Sequence, residues 1–99
     1  MKLIDALPNT VQGRTVANQL VRAAASVGAN YRAACRGRST AEFVAKIGTV
    51  IDESDESCFW LELIMEGGLL PAEQVKDLYQ EADEITAIMV ASRKSAQNA

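Results

Sequence analysis

The chain reads as an all-α protein, an antiparallel up-and-down helical bundle in one domain of 99 residues. Three observations predict it. Apolar and small residues return every three or four positions through three long stretches, the repeat of a helix that buries one face. Helix-stopping and helix-capping residues (Pro8 to Thr10, Gly37 to Ser39, Gly67 to Pro71) fall between those stretches. No stretch shows the apolar–polar alternation of a half-buried strand. A chain of this length has room for a single core.

Each element follows from its residues. Met1 to Ala6 has the composition of a short helical segment, stopped by Pro8 and Asn9 and too short to be stable alone. Thr10 is placed to cap the next helix, expected from Val11 to about Arg36, because its hydroxyl can accept from the free amides of the first turn. Along that helix Ala17, Leu20, Ala24, Val27, Tyr31 and Ala34 step by threes and fours, as a helix packed in a bundle does. Gly28 in its interior is expected to mark a kink or a close helix contact. Gly37 is expected to end the helix in a left-handed conformation.

Ser39-Thr40-Ala41-Glu42 matches a capping box and starts a helix expected to run to Glu66. It carries two overlapping stripes. One is Val44, Ile47, Ile51, Ser54, Cys58, Leu61 and Met65, and the other Phe43, Val50, Ser57 and Ile64. Together they make an apolar face wider than one seam needs, so this helix must touch more than one neighbour. Gly67-Gly68 closes it, and Pro71 opens a last helix patterned by Val75, Leu78, Ala82, Ile85 and Met89. The polar stretch 92–99 is expected to fray.

Composition narrows the function classes. From Arg14 to Lys46 six basic residues stand against Glu42 alone, whereas from Ile47 onward eleven acids stand against Lys76, Arg93 and Lys94. A uniformly basic nucleic-acid binder is not patterned so; a protein with one basic end and an acidic, solubilising remainder is. No apolar run has the roughly 20 residues of a membrane span, and MKLIDALP is too short and acidic for a secretory signal. Cys35 and Cys58 lack paired spacing and are expected as reduced thiols, which with the missing signal gives a cytoplasmic expectation. There is no histidine. Glu53, Glu56 and Glu62 therefore lack the Glu-x-x-His partners of a carboxylate di-iron bundle and read as a solvated or salt-bridged face. Serine and cysteine have no neighbouring base and no nucleophile elbow. No catalytic residue, metal, cofactor or small-molecule substrate is expected.

Four separated motifs, LPNTVQGRTVANQL, SVGANYRAACRGRS, AEFVAKIG and SDESCFWLELI, resemble the four-helix-bundle family of ribosomal RNA intervening sequences, related to the accessory variability proteins of diversity-generating retroelements. The resemblance spans about Leu7 to Arg93. It implies a helical protomer, assembly into a homopentamer, no cofactor and no catalysis. For retroelement members it also implies contact with RNA and a reverse transcriptase. Relatives carry a full first helix before the LP turn, so the resemblance makes residues 1–6 the stub of that helix beside three complete ones. Ala33 stands where relatives often have glutamate.

Two groups of residues carry the functional expectation: a non-catalytic homo-oligomeric scaffold or adaptor, or alternatively an RNA- or ribonucleoprotein-binding accessory protein. Arg32 and Arg36 lie one turn apart on one helix face, with Arg38 and Lys46 flanking the following turn. This cluster is open to two readings, intersubunit or intrahelix salt-bridge partners for Asp52, Glu53, Asp55 and Glu56, or contacts to nucleic-acid phosphates. Tyr31, Phe43, Val50, Trp60 and Ile64 are the candidates for an oligomer interface or core. Tyr31 is expected to pack inside, and Asn30 to hydrogen-bond across a helix interface.

Overall fold

The computed structural model of the chain describes residues 2–99; Met1, the first residue of the expected stub, lies outside them. Four helices follow in order, α1 Lys2–Ala6, α2 Val11–Cys35, α3 Thr40–Glu66 and α4 Ala72–Gln97. No strand occurs among the described residues.

The junctions show why the helices start and stop where they do. Thr10 Oγ1 accepts from the Gly13 amide at 3.0 Å, satisfying one of the free donors of the first turn. A Cβ on Gly13 would stand 1.9 Å from the Pro8 carbonyl oxygen, so only glycine lets the turn before α2 fold back against it. At the other end of α2 the amides of Arg36 and Gly37 donate to Ala33 and Ala34. Gly37 is not left-handed as expected, since Gly68 is the one residue with positive φ among those described. Space explains Gly37 instead: a Cβ there would sit 3.2 Å from the Ala34 carbonyl oxygen and 3.4 Å from the Glu42 Cβ.

Ser39 Oγ accepts from the Glu42 amide at 3.1 Å, and Glu42 Oε2 accepts from the Arg38 amide at 2.7 Å. The capping box forms with its return bond one residue early. α3 ends in a Schellman turn, in which Leu69 N–H donates to Ile64 O and Gly68 N–H to Met65 O. Pro71 precedes α4 as its N-cap. α4 then stays helical to Gln97, through most of the stretch expected to fray. Ser92, Arg93 and Ala96 are half-buried there, which gives this last part of α4 a packed side.

α3 is the central element. α2 and α4 each pack along it and barely touch one another, giving a rod with Cα extents of 46 × 19 × 17 Å. Leu7, Val16, Leu20, Leu61, Ile64 and Val75 form the main apolar cluster, with Leu3 and Ile4 of α1 laid against it. The wide face of α3 is thus covered mostly within one chain. Ile47, Val50 and Ile64 are fully buried, which places Val50 and Ile64 in the core and removes them as surfaces for a sister chain. The physical reason is that two flanking helices, one per stripe, cover what one cannot.

Candidate partner and nucleic-acid interface

The helix order brings together charges that are far apart in sequence. The end of α2, the start of α3 and the end of α4 share one end of the rod, because α3 runs antiparallel to both neighbours. That end carries Arg32, Arg36, Arg38, Lys46, Arg93 and Lys94 against Glu42 alone. The Arg93 guanidinium lies 3.8 Å from where a Cβ on Gly48 would sit, so it rests against α3. Along the chain Arg93 and Lys94 fall in the acidic half, but the fold places them at the basic end.

None of Arg32, Arg36, Arg38 and Lys46 has a carboxylate within 4.0 Å among the described residues, and all four are exposed. The expected pairing with Glu53 and Glu56 belongs to Arg22, whose Nη1 lies 3.1 Å from Glu53 and whose Nη2 bonds Glu56. Hydrogen bonding from Arg22 holds the Glu56 carboxyl below its ordinary range. Trp60 Nε1 also donates to Glu56 at 3.4 Å. This fork staples α2 to α3 and occupies those acids. A guanidinium midway along a helix, one turn from no acid of its own, was the available sign of a cross-helix partner.

Of the candidate interface residues left after Val50 and Ile64, Phe43 and Trp60 are half-buried and Tyr31 is 45 % exposed. Tyr31 does not enter the core as expected. It sits one turn beyond Val27 on a wall that no other helix covers, and a hydrogen bond with Cys35 pushes its phenol upward. Asn30 bonds Ser26 within α2, at 2.9 Å to the carbonyl oxygen and 3.0 Å to Oγ, rather than across helices.

The described residues also form apolar depressions. A shallow trough of about 140 Å³ runs between α2 and α4, walled by Leu20, Ala24, Val27, Leu78, Ala82 and Ile85 over a floor of α3. Another, of about 360 Å³, lies between the start of α2 and the end of α3, beside Val11, Thr15, Trp60, Leu63 and Leu69. The polar groups near the trough floor satisfy one another. Ser54 Oγ and Thr86 Oγ1 are 2.6 Å apart, and Thr86 also donates to the Ala82 carbonyl. Cys58 is buried and Cys35 exposed, and neither is in a disulfide; burial pushes the Cys58 thiol up, away from a nucleophilic thiolate. Among the described residues no three His, Cys, Asp or Glu side chains group to hold a metal ion, and no helix is long and apolar enough to cross a membrane.

The fold is similar to a crystal structure of a protein of unknown function from the S23 ribosomal protein family of Bacteroides thetaiotaomicron. The match has a TM-score of 0.76 and 29 % identity, and covers 80 % of this chain and 70 % of that one. No curated protein matches the chain. The family model for the 23S rRNA-intervening sequence protein matches residues 1–91. The polarised helical rod described above therefore has a family: the chain belongs to the 23S rRNA-intervening sequence proteins.

Proposed function

We propose that the chain is a non-catalytic helical scaffold that works as a homo-oligomer, a pentamer on the family resemblance. The observation that carries this reading is α4. It presents Leu78, Ile85, Ile88 and Met89 along 26 residues yet fully buries only Val75, and Ile88 remains 58 % exposed. A lone protomer leaves that apolar surface and the trough beside it in water, and burying it against further protein is favourable at about 25 cal/mol per Å². Two free thiols, one of them exposed, suit a reducing cytoplasmic compartment. Sedimentation equilibrium at micromolar concentration tests the reading: a mass near five chains of 10.7 kDa is expected, and the mass of one chain rejects it.

A second reading is favoured by the six-cation end, namely that the scaffold carries RNA, alone or with a reverse transcriptase bound to it. Exposed guanidinium and ammonium groups without carboxylate partners are free to displace counterions from phosphates. With four to six such contacts, RNA affinity should fall on the order of a hundredfold between 50 and 200 mM salt. Absence of RNA binding at low salt removes this reading.

A further inference from the structure

The outer face of α3 lies opposite the trough and no helix of the chain covers it. On it Asp52, Asp55, Phe59, Leu63 and Glu66 recur at steps of three and four, all exposed, so they share one side of the helix. Phe59 is 53 % and Leu63 38 % exposed. Phe59 is held in place by an edge-to-face contact with Trp60, ring centroids 5.0 Å apart. Leu63 borders the depression beside Val11 and Thr15, yet it and Phe59 still present large apolar surface in the middle of an acidic strip. The three carboxylates have no cation within 4.0 Å among the described residues.

A complementary strip lies on α2, on the side away from α3. Arg14, Asn18, Val21, Ala25, Gly28 and Arg32 step by fours and threes and are all exposed. Val21 is 44 % exposed, and neither Arg14 nor Arg32 has a carboxylate within 4.0 Å among the described residues. Gly28 was expected to admit a close helix contact, yet a Cβ there meets nothing within 4 Å inside the chain. Any such contact must come from outside.

We infer that a second copy of this chain docks its α2 strip, Arg14 to Arg32, on the outer face of α3, Asp52 to Glu66. The charges select the occupant. One strip is acidic at both ends around large apolar residues, and the other is basic at both ends around small ones. Laid antiparallel with Leu63 opposite Val21 and Phe59 opposite Ala25, the two strips bring Asp52 opposite Arg32. They also bring Glu66 opposite Asn18, one turn from Arg14, within the reach of an arginine side chain. The two strips of one protomer face away from each other, so they cannot meet within a chain. Because they are different surfaces, each added copy leaves one of each kind open, a head-to-tail contact that continues past a dimer and ends in a ring when the rotation between copies closes.

This inference rests on the self-association reading, and the experiment separates the two. Sedimentation equilibrium is run at micromolar concentration on the full chain, on Arg32→Glu, on Asp52→Arg, on Phe59→Ser and on the double variant Arg32→Glu/Asp52→Arg. All three positions changed are exposed, and circular dichroism confirms that each variant keeps its helix content. The three single variants should weaken assembly at least tenfold in dissociation constant, and the double variant should restore it. Assembly of every variant like the parent, or single variants that fail without rescue by the double, overturns the docking pair and leaves self-association standing. A parent chain that sediments as one protomer overturns both.

Discussion

The two ends of the rod are built differently. The end near α1 gathers Leu7, Val16, Leu20, Leu61, Ile64 and Val75 into one cluster, closed over by Leu3, Ile4, Leu69 and Leu70. Toward the basic end the buried positions are Ala23, Ala34, Ile47 and Val50, and α4 contributes no fully buried residue beyond Val75. Burial is therefore concentrated where acids and bases are mixed, while exposed cations collect where the core is thin. Close-packed burial fixes the fold, and the loosely covered end presents charge to whatever binds there.

The largest way to test this contrast is to cut into the dense end. Leu61→Ala removes a buried side chain from the middle of the cluster and should cost about 2–5 kcal/mol in denaturant unfolding. A loss within experimental error would mean that the cluster is not where the fold is held. At the same end, Gly13→Ala drives a methyl group into the Pro8 carbonyl. Backbone on both sides cannot yield as a flexible side chain would, so a loss of about 1–3 kcal/mol is expected. A melting temperature equal to the parent's would show the turn before α2 free to move.

How far this architecture was legible depends on the residue. Helix type and limits were readable because capping and periodicity are local: Thr10, Ser39 and Gly67-Gly68 each act within four residues of themselves. The doubled stripe of α3 announced two neighbours but could not say whose, because helices of the same chain and of a sister chain leave the same pattern. That is why Val50 and Ile64 turned out to be core. Arg93 joined the basic end only once α4 was folded back along α3, a tertiary fact invisible in a linear charge count. Tyr31 fitted the bundle repeat, but periodicity tells which side a residue faces and not whether anything lies across from it. The need for glycine at 13 comes from the path of Pro8, which no spacing rule contains.

Gly28 gives a smaller effect of the opposite sign. It lies in the exposed middle of α2, where an added Cβ meets nothing within 4 Å. Gly28→Ala should therefore raise protomer stability by about 0.5–1 kcal/mol, through the higher helix propensity of alanine and the lower entropy of the unfolded chain. Compared with Gly13→Ala, it separates a glycine required by sterics from one that the lone protomer does not need. Destabilisation in a condition where the chain is monomeric would show that the α2 flank is already in contact with something inside the chain.

The smallest effect is a titration joining α3 and α4. Tyr79 donates its hydroxyl to Glu62 Oε1 at 2.5 Å. That hydrogen bond, with lesser contributions from desolvation and nearby acids, pushes the phenol up to about 12 from its usual value of 10.0. The neutral phenol is thus favoured in the folded chain. Its contribution to stability is complete below the unfolded value near 10 and is lost as pH rises from there through about 12. Absorbance at 295 nm should show one tyrosine titrating near pH 12, and Tyr79→Phe should remove that transition while leaving the one from Tyr31. If Tyr79 titrates near 10 in the folded chain, the Glu62 bond is open to water, and α4 is held to α3 by Val75, its apolar neighbours and the Ser54–Thr86 hydrogen bond.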